Sequence, residues 1–410
     1  MEKRSIQFSP PDISELEVQE VADALRSGWI TTGPKTKELE RRLAEYFHTE
    51  KAVCLNSATA AEELNFRILG IGEGDEVIVP SYTYTASASA AIHAGAKVVF
   101  ADIQKDGDPV SHSPEMDYEA IASLITEKTK AVVPVDFGGI PCDYDRLSAV
   151  LEEKKSLFRP GSEIQEAIGR VAVVADSAHA VGASRKGKMC GEIADFTSFS
   201  FHAVKNLTTA EGGCSVWRKI RGFDSDRLYH QYQLLSLHGQ SKDALTKSGR
   251  GTWEYDIVGP WYKCNMTDVA AALGLAQFER YPKLEARRRE IAGIYDRMCD
   301  ELGVFHLNHS GESYESSYHL YVVRIPGIGV RKRNEIIVRL AEEGISTNVH
   351  YKPLPMMTAY KKLGFDIEDF PNAYDYYRNL ITLPLHTKLS DEDVEYIKYW
   401  FTKIVREYLG

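Results

Sequence analysis

Apolar positions along this chain fall into two alternating periods. Residues 13 to 26 place them at helical spacing and run into Gly28 and the turn Thr31-Thr-Gly-Pro34, and a second helical stretch follows from 35 to 47. The period then shortens. Ala52–Leu55 is a continuous apolar run of strand length, and Asn56-Ser57 behind it supplies the capping chemistry for a helix that reaches Leu69. Runs at Glu76–Val79, Lys97–Phe100, Ala131–Val135, Val171–Ala175 and Phe196–Phe201 repeat the pattern, separated by helical or turn-rich segments. Such alternation predicts a mainly parallel sheet covered by helices, with Gly212–Trp217 as an antiparallel addition.

The remainder of the pattern predicts a long helix from Thr267 to Leu302, then strands at His319–Ile325 and Ile345–Val349 set between helices. The expected division is a large domain over residues 1–284, including the N-terminal helices, and a smaller C-terminal α/β domain over 285–410. A chain of 410 residues is long enough to need both. Leu157–Gly169, with Arg159-Pro-Gly-Ser162 inside it, reads as a polar insertion without an assigned role.

Chemistry concentrates at two places. Ser198-Phe-Ser-Phe-His-Ala-Val-Lys-Asn-Leu-Thr-Thr-Ala-Glu-Gly-Gly213 frames Lys205 with small and hydroxyl residues, and no acidic residue stands within five positions of it. A lysine that must act as a nucleophile has to be neutral part of the time, a condition met where burial or a neighbouring cation lowers its pKa. Upstream, Val171-Ala-Val-Val-Ala-Asp-Ser-Ala-His-Ala180 is a buried strand ending in Asp176. A carboxylate at a strand's carboxyl end and a framed lysine are what a pyridoxal phosphate site needs, an amine for the aldehyde and an acid for the pyridine nitrogen. A helix N-cap is the other reading of Asp176. Ala58-Thr59-Ala60 opens a helix directly after a strand, so the amides of Thr59 and Ala60, with the Thr59 hydroxyl, form a candidate phosphate cradle.

These segments, with Ser27-Gly-Trp-Ile-Thr-Thr-Gly-Pro34, Asn56-Ser-Ala-Thr-Ala-Ala61, Gly74-Asp-Glu-Val-Ile-Val-Pro80, Tyr82-Thr-Tyr84, Asn265-Met-Thr-Asp268 and Val349-His-Tyr-Lys-Pro-Leu354, resemble the DegT/DnrJ/EryC1/StrS family of nucleotide-sugar aminotransferases nearly end to end. The resemblance implies the aspartate-aminotransferase-like fold type I and pyridoxal 5'-phosphate, with pyridoxamine 5'-phosphate during turnover. It implies Lys205 as cofactor attachment point and proton carrier, Asp176 at the pyridine nitrogen, Ala178 and Tyr84 on the two ring faces, His179 at the phenolic oxygen and Ser200 at the phosphate. Tyr262-Lys-Cys-Asn265 matches a loop that reaches the partner subunit's phosphate, through Lys263 or Asn265, which implies a homodimer with shared sites. Trp253, Tyr255, His319, His350 and Tyr351 fall where relatives line the sugar pocket. Glu62 and Glu63 depart from the family, which carries apolar residues there. The implied substrates are L-glutamate and a nucleotide-linked ketosugar, aminated at C4 of a UDP- or dTDP-4-keto-6-deoxyhexose, with C3 as the alternative. A dehydratase on this scaffold carries histidine at the lysine position, and a non-catalytic sensor does not need Lys205.

Composition narrows the rest. A net charge of −10 argues against nucleic acid as partner, although Lys242 to Arg250, with Lys247 between, offers a local basic loop for a diphosphate. The N-terminal residues lack the apolar core of a signal peptide, and no run approaches the roughly 20 apolar residues that span a bilayer, so a cytoplasmic location without membrane attachment is expected. Six scattered cysteines without a Cys-x-x-Cys pair suggest neither a disulfide framework nor a metal site.

Overall fold

The computed structural model describes residues 2–242 and 254–409. Trp253, Lys247 and Arg250 lie outside the described residues. Seven strands, β1 (Ala52–Leu55), β2 (Glu76–Pro80), β3 (Lys97–Ala101), β4 (Thr129–Val132), β5 (Ala172–Asp176), β6 (Phe196–Ser200) and β7 (Gly213–Trp217), form one sheet in the order β1-β7-β6-β5-β4-β2-β3. The neighbours from β3 to β6 are parallel, and β7 runs antiparallel to both β1 and β6. β1 therefore points the same way as β5 and β6, and the carboxyl ends of all three open on one edge. In sheets of this kind that edge receives the ligand.

Every residue of β1, β2, β4, β5, β6 and β7 is buried, as a sheet covered on both faces requires. β4 starts and stops earlier than the predicted Ala131–Val135. Pro134 has no N–H to give the ladder, and pairing resumes beyond it only as a single bridge from Val135 to Asp176.

The helix Asp268–Leu302 is the mechanical link between two cores. Its first turns bury Ala271 and Leu275 beside β1 and β7, and its last turns bury Ile291, Tyr295 and Met298 against a second, three-stranded antiparallel sheet. That sheet comprises Phe305–His306, Tyr321–Arg324 and Leu380–Leu383. Helices Val330–Glu342 and Asp391–Arg406 cover it. Ile345–Val349 does not form the predicted strand. Ile345 bridges Ile6 while Asn348 bridges Thr382, so its backbone groups are divided between two partners and no ladder builds.

Two polar clusters fix the helices around the site. Asp268 is buried and accepts from Gly33 N at 2.8 Å, Lys35 N at 3.0 Å, Thr36 N at 2.9 Å and Thr36 Oγ1 at 2.7 Å. It thereby caps the helix Pro34–Tyr46, whose own cap residue, Gly33, has no side chain to do so. The polar insertion has a comparable structural role. Within it the short helix Glu163–Ile168 forms behind Ser162, and Ser162 Oγ and Gln165 Nε2 donate to Leu69 O at 2.6 and 2.8 Å. The insertion closes the carboxyl end of the helix Ala58–Leu69.

Candidate active site

Five sequence segments that are far apart along the chain meet at the open edge of the sheet. Around them is a cavity of about 480 Å³ walled by Ala58 and Thr59, Thr83 and Tyr84, Asp176, Ala178 and His179, Ser200 and Lys205, and His350 and Tyr351. That size suits a cofactor with a substrate beside it. A roomier surface cleft of about 590 Å³ lies between Asp106, Asp108, Arg146 and Arg324. Its charges are engaged locally: Asp108 accepts from Ser111, and Arg324 donates to Asp106 O.

The anion-binding end is the start of the helix Ala58–Leu69. Ser57 is the N-cap and its Oγ accepts Ala60 N–H at 3.1 Å. Ala60 is thus removed from the expected cradle because the cap occupies its amide, and the amides of Ala58 and Thr59 remain for a phosphate. The backbone packs tightly here: a Cβ on Gly213 would stand 2.4 Å from Ala58 N. Ser200, at the end of β6, adds a hydroxyl to the same wall. Glu62 and Glu63 do not face this end. Glu63 lies near His93 and Arg67, at 3.4 and 3.9 Å, and Glu62 is turned inward toward Asp176.

Asp176 closes β5 with 5 % of its surface exposed. Ser87 Oγ donates to its Oδ2 at 2.6 Å and Ala178 N to its Oδ1 at 3.1 Å. Ser87's one proton is spent on Asp176, so the 2.8 Å contact between Thr83 Oγ1 and Ser87 Oγ has Thr83 as donor. Ser87 sits in the alanine-rich helix Thr85–Ala94, and its position there, one turn inside on the buried face, is the signal that sequence reading passed over.

Lys205 stands in a tight turn, its N–H bonded to His202 O at 2.9 Å, with the amine in the cavity wall. Burial pushes its pKa down to about 8, against the pull of the Asp176 charge. His179 is buried and neutral: burial first, then Lys205 and His350, hold its pKa well below the ordinary histidine value. Its Nδ1 accepts from Gly138 N at 3.2 Å, so Nε2 carries the proton and faces the Tyr351 hydroxyl at 3.2 Å. Tyr84 is 59 % exposed and lies 5.7 Å from the Tyr351 ring, on the open side of the cavity.

The predicted sugar contacts separate. His350 and Tyr351 line the cavity, and burial takes the His350 pKa down to about 3. His319 does not line it. It is buried behind His179, with ring centroids 4.4 Å apart and Nδ1 on Asn206 Oδ1 at 2.9 Å, because the predicted strand His319–Ile325 begins only at Tyr321 and His319 sits in the segment before it, its N–H donating to Gly138 O at 3.1 Å. Tyr255 is exposed and stands outside the cavity wall. Lys263 and Asn265 also lie outside it, bonded to each other on an edge segment that bridges Leu55. His202 and Glu211, 3.6 Å apart, line the cavity and were not singled out by sequence. Among the described residues no helix is long and apolar enough to cross a membrane, and no cluster of three metal-ligating side chains occurs.

An amine of lowered pKa, a buried acid at a strand end and a helix N-terminus around one cavity, on a mainly parallel sheet, are the makings of a fold type I pyridoxal phosphate enzyme. Residues 11–401 match the model of the DegT/DnrJ/EryC1/StrS aminotransferase family, and the chain belongs to that family. Spr1654 of Streptococcus pneumoniae, described as a sugar aminotransferase and solved in apo, PLP and PMP forms, is 55% identical. It superposes with a TM-score of 0.94 over 99% of each chain in the apo form. Helicobacter pylori PseC, an aminotransferase involved in pseudoaminic acid biosynthesis, is 27% identical, with a TM-score of 0.85 over 98% of this chain and 100% of that one. The spore coat polysaccharide biosynthesis protein SpsC of Bacillus subtilis is 39% identical over 393 residues, 95% of this chain and 94% of its own. The protein is a PLP-dependent aminotransferase.

Proposed function

We propose that this aminotransferase moves the amino group of L-glutamate to C4 of a UDP- or dTDP-linked 4-keto-6-deoxyhexose, making an aminosugar nucleotide for a surface glycan. The observation that carries the reading is Lys205, an amine with a pKa of about 8 set in the cavity wall between Asp176 and the helix that starts at Ala58. Bound pyridoxal phosphate supplies the electron sink that lets an amino group leave one carbon and join another.

The residues present suit that group. The Ala58 and Thr59 amides with Ser200 would hold the phosphate, Asp176 would keep the pyridine nitrogen protonated, and Ala178 and Tyr84 would bound the ring. Lys205 would be the attachment point of the cofactor and the carrier of the proton between substrate carbon and cofactor. His179, with its proton fixed on Nε2, donates toward the cavity rather than accepting from it. His350 and Tyr351 bound the space left for the sugar. Lys263 and Asn265, on the outer edge, reach the phosphate of a second copy, so the working unit is a homodimer. The SpsC relative supports a role in polysaccharide assembly. The C4 assignment rests on the likeness of the Tyr262–Asp268 loop to relatives that aminate C4. A C3 aminotransferase is the alternative within the same chemistry.

The test is incubation of the purified protein with glutamate and a panel of 3-keto and 4-keto sugar nucleotides, with product mass and regiochemistry read by mass spectrometry and NMR. An amine at C4 is expected. An amine at C3 overturns the position, and amination of a free ketone alone overturns the nucleotide-sugar reading.

A further inference from the structure

Glu62 occupies the buried face of the helix Ala58–Leu69, one turn after the phosphate end, with 1 % of its surface exposed. Among the described residues no group donates a hydrogen bond to either of its carboxyl oxygens. The charged group it faces is the carboxyl of Asp176, itself 5 % exposed. Two ionised carboxylates are acceptors only and repel each other, and where both are buried the pair is relieved when one of them holds a proton. The donor count decides which. Asp176 already receives the Ser87 hydroxyl and the Ala178 amide, whereas Glu62 receives nothing. The negative charge therefore belongs on Asp176 and the proton on Glu62.

We infer that Glu62 is a neutral carboxylic acid that donates a third hydrogen bond to Asp176 and so keeps the cofactor's ring proton on the pyridine nitrogen. Burial, with the Asp176 charge adding to it, holds the Glu62 carboxyl well above the ordinary glutamate range, in keeping with this assignment. An acid that donates to Asp176 spreads the carboxylate's charge and lowers its appetite for the ring proton. Without that donor Asp176 competes better for the proton, and the ring withdraws electrons less well. Lys205 and Tyr351 are the other titratable groups that feel Asp176. Neither offers Glu62 a hydrogen bond. Glu62 is thus a positioning residue, acting on the ring only through Asp176, and the inference rests on the placement of Asp176 at the ring nitrogen proposed above.

Two measurements test it. Infrared difference spectra of the apoprotein, wild type minus Glu62→Gln, should show the carbonyl stretch of a protonated carboxyl near neutral pH. A carboxylate stretch in its place overturns the proposal. In the loaded protein, 15N NMR of ring-labelled pyridoxal phosphate reads the ring proton directly. Glu62→Leu and Glu62→Met remove the donor while keeping volume in an apolar setting, and the ratio of protonated to free ring nitrogen should fall about tenfold, the worth of one hydrogen bond to a charged acceptor. Glu62→Gln retains a donor and should restore the wild-type signal. Equal signals in Leu, Met and wild type overturn the proposal. Asp176→Asn serves as the separate control: if it also leaves the ring signal unchanged, the assignment of Asp176 is wrong, and if it alone changes the signal, only the role of Glu62 is lost.

Discussion

The titration of Lys205 offers the most direct physical test of the site. With a pKa of about 8, roughly one quarter of the amine is neutral at pH 7.5, against about one in a thousand for a lysine at its ordinary 10.5. The cavity thus raises the reactive fraction roughly 200-fold at that pH, with burial as the cause and the Asp176 charge as the opposing influence. Reductive trapping of the apoprotein with a small aldehyde, with the Lys205 peptide quantified by mass spectrometry, follows that fraction. The trapping rate should reach half its maximum near pH 8, while exposed lysines keep rising beyond pH 10. Asp176→Asn removes a negative charge that favours the ammonium form, so the midpoint should move to lower pH. A Lys205 midpoint near 10, or one that moves up in Asp176→Asn, refutes the reasoning. Linkage fixes the sign of the stability effect. Between about pH 8 and 10.5 the unfolded lysine holds its proton and the folded one does not, so its contribution to stability grows with pH across that window and is lost as pH falls through it.

Other consequences follow from the packing. Asp268→Ala leaves the amides of Gly33, Lys35 and Thr36 without their acceptor in a buried position, and denaturant unfolding should show a loss of about 2–4 kcal/mol. Gly213→Ala forces a methyl against Ala58 N, where 2.4 Å is available, so phosphate-dependent cofactor retention on gel filtration should drop while far-UV dichroism stays native. Lys205→Ala should abolish turnover and the visible absorbance of lysine-bound cofactor. Co-expressed with a Lys263→Ala, Asn265→Ala chain, it should recover part of the activity in verified heterodimers, and no recovery there counts against a shared site.

The chemistry of the site was legible in the chain because each element carries a local signature. A strand of five buried residues must end somewhere, and it ends in Asp176; a helix that follows a strand needs a cap, and Ser57 is one. The limits of the main helices and of β1 come within a few residues of the periodic pattern for the same reason, since period and capping are properties of neighbouring residues. Other features had no local signature. That Ser57 takes the Ala60 amide follows from a cap geometry that the letters Ser-Ala-Thr-Ala do not specify. His319 looked like a cavity residue in the motif, yet it lies behind His179 in the segment before Tyr321–Arg324, its backbone held by Gly138, and only tertiary packing decides that. Ile345–Val349 has the composition of a strand, but a strand also needs a partner, and the fold gave its two ends different ones. Glu62 shows the division most sharply. By sequence it is one of two adjacent acids on an amphipathic helix, and nothing local says which faces inward. The sequence by itself determined which groups are present and the elements that carry them, because those depend on spacing along the chain. Tertiary structure alone decided that Glu62 is buried facing Asp176 with no donor to its oxygens, because burial and donor count depend on segments 114 positions apart coming together.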